Sequence, residues 1–180
     1  GGVGGTGVVG LLRGTRARDV SVPHPRPLRG HPLPAGEGTR GAPTVAFRAE
    51  MDALAMDALC GRPYQSKNKG VAHLCGHDGH VAALLGAARV LAGVRERIPG
   101  NVKFFFEPAE ENAPPGEISG AQAMLRDGAF EDPAPLAVFG AHFYPDWPAG
   151  SIALRVGSAF AGNDSVKLTI IGKESHTAVP

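Results

Sequence analysis

Residues 73–80 read His-Leu-Cys-Gly-His-Asp-Gly-His, which places five potential metal ligands or proton carriers within eight residues of a glycine-rich chain. Cys75 and His77 lie two residues apart, a spacing that can face one ion from an extended loop but points side chains to different sides of a helix. The segment 81–91 that follows is rich in Ala and Leu and predicts a buried helix, with Asp78 as the candidate that caps its start. We therefore expect the ligands on a loop, directly before a helix begins.

Further candidate ligands follow apolar runs much later in the chain. Glu110 and Glu111 come after the run at 101–106, and His142 comes after the run at 136–140. Such runs predict strands, and the ends of parallel strands are the usual location of a site in an α/β protein. A Cys beside a His is, on its own, more often part of a core than of a metal site, but these distant ligands favour the metal site.

Strand-like and helix-like segments alternate along the chain. Strands are predicted at 8–13, 44–50, 101–106 and 136–140, the last of them buried, and helices at 81–91 and 120–125. This alternation predicts an α/β domain with a mainly parallel sheet and flanking helices. Glu50 and Asp52 lie at the end of the second predicted strand, where we expect them on alternate sides.

The remaining segments are less regular. Residues 15–43 are rich in Pro and Arg and lack apolar periodicity, which predicts a loop, a disordered segment or an insertion. Residues 151–156 and 165–171 alternate apolar and polar side chains and predict two more strands. The glycines at 2–7 match a dinucleotide-binding fingerprint in spacing, but we expect no nucleotide site, because only one residue precedes them where a strand is required.

The composition limits the class of protein. A chain of 180 residues with 43% hydrophobic residues can bury one sizeable core but is too short for two full-sized domains. The 18 basic and 17 acidic side chains give a net charge of +1, so we expect neither a nucleic-acid partner nor a membrane surface. Cys60 and Cys75 could pair in an oxidising compartment, but the start is not signal-like and no apolar run has membrane length, which favours a cytoplasmic protein.

Several motifs, in order along the chain, carry a resemblance to a known family. They include RAEMDAL at 48–54, HLCGHDGH at 73–80, EPAEEN at 107–112, FGAHFYP at 139–145 and GKESHTAVP at 172–180. Together they resemble the aminoacylase, hippurate hydrolase and auxin-conjugate amidohydrolase group of two-metal peptidases. The resemblance implies a partial catalytic domain over residues 1–158 and the truncated start of an inserted lid or dimerisation domain over residues 159–180. It also implies a homodimer at full length.

The resemblance further implies the chemistry. It implies a metal-dependent amidohydrolase that cleaves N-acyl amino acids or related peptides with two divalent ions, zinc, manganese or cobalt. Bound ions of this kind polarise an amide carbonyl and activate water, and a nearby carboxylate takes the proton. Four side chains would be the metal ligands, namely Cys75, His77, Glu111 and His142. Glu110 would be the general base and His176 would bind the substrate, with Asp52 as a further catalytic residue.

Two alternatives stay open. A metal hydrolase with the pattern His-x-His-x-Asp-His fits less well, because Asp78 directly follows His77 and Cys75 takes the position of a histidine. The second alternative is a non-catalytic piece of the resembled family. The chain begins at Gly1 rather than Met and ends before the family's fifth ligand, so we expect a fragment with weak activity that is monomeric or aggregates. The motif also departs from the family at Glu50, where the family has Asp.

Overall fold

The computed structural model describes residues 2–3, 7–14, 42–111, 113, 117–162 and 166–178. The loop or insertion predicted at 15–43 lies outside the described residues, apart from its last two. The chain divides into two compact units, Gly1–Tyr144 and Pro145–Pro180, each described by itself below. The predicted domain boundary after residue 158 stays a prediction.

One sheet of five strands organises the first unit. The strands are β1 (Gly2–Val3), β2 (Gly7–Arg13), β3 (Thr44–Glu50), β4 (Asn101–Glu107) and β5 (Ala137–Gly140), in the spatial order β1-β2-β4-β3-β5. β3 pairs in parallel with β4 and β5, whereas β2 pairs antiparallel with β1 and β4. The predicted α/β class is confirmed. The sheet is mixed, and its parallel part consists of the three strands whose ends carry the candidate ligands.

The first helix begins earlier than the sequence predicts. Helix α1 spans His77–Gly93, so the predicted helix is confirmed but gains one turn at its start. Its N-cap residue is Gly76, with φ of 100°, a left-handed conformation that glycine accepts at little cost. The prediction that Asp78 caps the helix was wrong, because Asp78 lies inside the first turn and accepts a hydrogen bond from the next residue's N–H at 2.9 Å.

A short 3-10 helix (Arg95–Arg97) and the second helix, α2 (Gly120–Arg126), complete the described elements. Ser119 caps α2 by a reciprocal pair of bonds. Its hydroxyl accepts from the Gln122 N–H at 3.3 Å, and the Gln122 side chain accepts from the Ser119 N–H at 3.2 Å. This capping box satisfies two backbone donors that a helix start leaves open, so the predicted helix at 120–125 is confirmed.

The core lies on both faces of β4, which is buried along its whole length. Val102, Phe104 and Phe106 pack with Leu84 of α1 on one face. Phe105 packs with Met124 of α2 on the other face. Successive side chains of a strand point to opposite faces, so one central strand anchors a helix on each side of the sheet. Packing on both faces thereby holds the carboxyl ends of the parallel strands in place.

Two predictions of burial in the first unit were wrong. All four residues of β5 are exposed, because β5 is an edge strand that pairs only with β3. Helix α1 buries only the face that meets the sheet, and Leu85 and Val90 on its other side are 55% and 68% exposed. Among the described residues, no element covers that outer face. No helix in the described part of the chain is long and apolar enough to cross a bilayer.

The second unit departs furthest from prediction. The described residues from 145 to 162 and from 166 to 178 form no helix or strand, so the predicted strands at 151–156 and 165–171 were wrong. Leu154 and Ile170 are 95% and 85% exposed. An alternation of apolar and polar residues forms a strand only where a partner strand pairs with it and its apolar face is packed. The described residues of this unit have neither.

Candidate metal centre

The candidate residues of the first unit meet at the carboxyl ends of the three parallel strands. β3 ends at Glu50, β4 runs on to Glu110 and Glu111, and β5 runs on to His142. The first turn of α1 lies against the same edge, since His77 and His80 bond to residues that follow β3 and β5. Parallel pairing is the reason, because it directs all three carboxyl ends to one side.

His77 is fixed in one orientation. Its side chain is 2% exposed, and its Nδ1 atom lies 3.0 Å from Asp52 Oδ1 and 3.1 Å from the Asp52 carbonyl oxygen. Both oxygens are acceptors, so Nδ1 carries a proton and donates it, and Nε2 is the ring nitrogen turned toward the rest of the cluster. That Nε2 atom faces Oε2 of Glu110 and Oε1 of Glu111, each at 3.8 Å.

Asp52 also orders the glutamate segment. Its second oxygen, Oδ2, accepts from the backbone N–H of Glu111 at 2.9 Å. One carboxylate therefore holds both an imidazole and the chain that carries the facing glutamates. Asp52 and Glu50 both bond to histidines of α1, so the expectation of alternate sides was wrong. Residues two apart in extended chain lie on the same side, which explains the result.

Cys75 and His142 form the other half of the cluster. Cys75 Sγ lies 3.3 Å from His142 Nε2, and His142 Nδ1 donates to the carbonyl oxygen of Phe143 at 2.7 Å. Nε2 of His142 is therefore the nitrogen turned toward the thiol. Burial raises the pKa of the Cys75 thiol to about 11, and a hydrogen bond and the negative charge of Glu111 act in the same direction. Without an ion, the thiol keeps its proton at neutral pH.

These donors fit divalent metal ions. Ligand atoms within 4.8 Å of one another are offered by Cys75, His77 and His142, and again by His77, Glu110 and Glu111. Ligands held at about 2.1 Å in a tetrahedron lie roughly 3.4 Å apart. The observed separations of 3.3 and 3.8 Å are close to that value, so little movement is needed. Sulfur, imidazole and carboxylate together suit zinc, and the oxygens also suit manganese.

Arg48 is a residue of this edge that sequence analysis missed. Its Nη1 atom lies 2.5 Å from Glu50 Oε1, its Nε atom bonds to Glu107, and its Nη2 atom lies 3.7 Å from Glu110 Oε1. One guanidinium thus links the ends of β3 and β4. The signal in the sequence was the Arg-x-Glu pattern of residues 48–50, which puts both charges on one face of a strand.

Two of the three glutamates around Arg48, Glu50 and Glu110, have pKa values shifted in opposite directions, although the charge of Arg48 lowers both. Burial alone would raise the pKa of Glu50, but hydrogen bonds from its own backbone and from His80, with the charge of Arg48, lower it overall. Burial raises the pKa of Glu110, which Arg48 opposes and Glu111 reinforces. Glu50 is therefore a fixed carboxylate, whereas Glu110 takes up a proton more easily than an ordinary glutamate.

Of the seven candidate residues, six lie in the first unit, and the structure brings these six together: Asp52, Cys75, His77, Glu110, Glu111 and His142. His176 belongs to the second unit, is exposed, and stays a prediction. Besides Arg48, sequence analysis assigned no role to His80, whose ring is 5% exposed, or to Phe143. His80 is distinguished by its burial and its partners, and Phe143 by its partners alone.

Known proteins match most of this chain. It is 40% identical to an N-acetyl-L-cysteine deacetylase of Bacillus subtilis over 79% of its length, and 42% identical over 79% to the IAA-amino acid hydrolase ILR1-like 2 of Arabidopsis thaliana. A crystal structure of a dinuclear metal-binding peptidase of the M20 family from Bacillus subtilis covers 81% of the chain, with a TM-score of 0.62 and 32% identity. The chain spans about a third of these relatives, with 33%, 31% and 32% of their lengths covered.

The family model for Peptidase family M20/M25/M40 matches residues 46–179, which include all the candidate residues of both units. The resemblance stated from the motifs is thereby confirmed. The chain belongs to Peptidase family M20/M25/M40.

Proposed function

We propose that the protein is a metal-dependent amidohydrolase that cleaves the amide bond of N-acyl amino acids. Cys75, His77, Glu111 and His142 hold divalent ions, zinc, manganese or cobalt, and Glu110 is the general base. One observation carries the proposal: the buried His77 turns its Nε2 atom toward two glutamates, because Asp52 holds Nδ1 from behind. Such a carboxylate–histidine pair orients and strengthens an imidazole ligand.

The contacts of the two glutamates support their different roles. Glu111 contacts the two proposed ligands His77 and Cys75, and its backbone is held by Asp52. Glu110 contacts His77 and Arg48 but takes no such backbone bond from Asp52. A side chain held among ligands suits coordination, and a side chain at the rim with a raised pKa suits proton transfer.

The chain's own residues account for the proton movements. Two divalent ions, when bound, would polarise the amide carbonyl and make water a stronger nucleophile. Glu110 accepts a proton from water as the water oxygen attacks the carbonyl carbon. It then gives that proton to the nitrogen as the carbon–nitrogen bond breaks, which releases an amino acid and a carboxylic acid.

The relatives support the substrate class. Their names state deacetylation of N-acetyl-L-cysteine and hydrolysis of an IAA-amino acid, and both reactions cleave an acyl–nitrogen bond to an amino acid. His176 binds the substrate in this proposal, and the match to the family model extends through its position. A homodimer at full length and a cytoplasmic location belong to the same proposal, the latter in keeping with Cys60 and Cys75 as free thiols.

The test separates metal binding from turnover. The protein is stripped with a chelator, reloaded separately with zinc, manganese or cobalt, and supplied with N-acetylcysteine and with an N-acyl aromatic amino acid. We expect uptake of metal and weak, metal-dependent release of free amino acid. Failure to bind any of the three ions at neutral pH would overturn the proposal. Metal uptake without turnover would favour the non-catalytic alternative.

A further inference from the structure

His80 is buried one turn after His77, and both of its ring nitrogens already have partners. Nδ1 lies 2.8 Å from Glu50 Oε2, and Nε2 accepts from the backbone N–H of Phe143 at 3.1 Å. A carboxylate accepts and an amide N–H donates, so the ring is neutral with its proton on Nδ1. Arg48 holds the other oxygen of Glu50 at 2.5 Å, which fixes the far end of the chain of bonds.

These bonds exclude His80 from the metal cluster itself. Glu50, His77 and His80 lie close enough to share an ion. Coordination through either nitrogen of His80 would, however, break a buried bond to Glu50 or to the Phe143 N–H. A buried polar group left without a partner is costly, so His80 needs another explanation.

Phe143 connects His80 to a proposed ligand. Its ring lies edge-on to the His80 ring, with centroids 4.9 Å apart, and it packs so closely on Gly79 that an added Cβ would lie 2.2 Å from Phe143 Cε2. The carbonyl oxygen of Phe143 in turn accepts from His142 Nδ1 at 2.7 Å. One residue is thus held at its N–H by His80, at its ring by Gly79, and at its carbonyl by His142.

We propose that His80 is a positioning residue that fixes the segment after β5, so that His142 Nε2 faces Cys75 before an ion binds. The inference rests on the proposed function, because it takes His142 as a metal ligand. Its consequence is a partly preorganised site, in which His142, beyond an exposed edge strand, is held through Phe143 by the first turn of α1.

The experiment measures zinc affinity of the purified protein by competition with a chromophoric chelator, and confirms folding of each variant by circular dichroism. His80→Phe keeps the ring and removes both nitrogens. His80→Gln keeps one donor for Glu50 and one acceptor for the Phe143 N–H. We expect His80→Phe to weaken zinc binding by about 10- to 100-fold, the range found for groups that orient a ligand, and His80→Gln to restore most of it.

A double-mutant cycle separates positioning from general destabilisation. In a His142→Ala background, His80→Phe should change zinc affinity little, because the ligand through which it acts is already absent. Gly79→Ala displaces the Phe143 ring without altering a hydrogen-bonding group and serves in the same cycle if His80→Phe does not fold. The inference would be overturned if His80→Phe weakened zinc binding by the same factor with and without His142. Unchanged zinc affinity in the single variants would also overturn it. Absence of zinc binding by the unmodified protein would instead overturn the proposed function.

Discussion

Two histidines in the first turn of α1, His77 and His80, both donate a hydrogen bond from Nδ1 but differ in what their Nε2 atoms face. His77 donates from Nδ1 to Asp52 and leaves Nε2 facing Glu110 and Glu111. His80 donates from Nδ1 to Glu50, and its Nε2 accepts a hydrogen bond from the backbone N–H of Phe143. Their exposures of 2% and 5% do not tell them apart. What separates a ligand from a support is the partner of the second nitrogen.

The strongest test of this comparison is removal of the His77 imidazole, whose Nε2 faces the two glutamates. His77→Ala should abolish metal uptake and reduce turnover to background, because this ring belongs to all three groups of possible ligands among the described residues. Metal content after dialysis, measured by elemental analysis, checks it. His80→Gln is the matched control and should still bind metal. Equal loss in the two variants would break the comparison.

The second-largest effect is expected at Glu110, one of the two glutamates that face His77 Nε2. Glu110→Gln should lower kcat by about 10² to 10⁴, the range for loss of a general base, and leave the metal content unchanged. The exposed Glu96 on the 3-10 helix supplies the control Glu96→Gln, which should behave as the unmodified protein. Steady-state kinetics on metal-loaded protein decide the matter. A variant with full turnover would remove Glu110 from its proposed role.

A smaller effect is expected at Asp52, which accepts the hydrogen bond from His77 Nδ1. Asp52→Asn replaces one of two acceptor oxygens by an amide nitrogen, so either the His77 bond or the Glu111 N–H bond is lost. We expect zinc affinity to fall by about 10- to 100-fold. Asp78→Asn, an exposed change in the same helical turn, should have no such effect. The same chelator competition measures both variants.

The smallest effect concerns pH. Burial raises the pKa of Cys75 to about 11, so the metal-free protein carries a thiol whereas coordination requires a thiolate. Metal binding therefore releases a proton, and affinity should rise with pH by up to about tenfold per unit from this group between pH 7 and 9. Calorimetry in buffers of different ionisation enthalpy counts the protons. Cys60→Ser should leave the count unchanged, and Cys75→Ser should lower it.

The sequence predicted well wherever a local pattern met a partner within the first unit. The runs at 44–50 and 101–106 became adjacent parallel strands, and the ligands beyond them followed as expected. It failed where burial depends on a neighbour from elsewhere, as for β5, the outer face of α1, and the described residues 145–162 and 166–178. The role of His80 was also beyond its reach, because Phe143 lies 63 residues away and contributes a backbone N–H that no side-chain pattern records.

The distance in sequence between Cys75 and His142 has a consequence for the protein's lifetime. The two residues are 67 positions apart, so this ligand pair is lost when the chain unfolds. An ion that joins them acts as a reversible cross-link across that loop, which for a disulfide of similar span is worth about 4 kcal/mol in the chain-entropy model. Metal supply would then govern how long the folded chain resists proteolysis, independently of any reaction it catalyses.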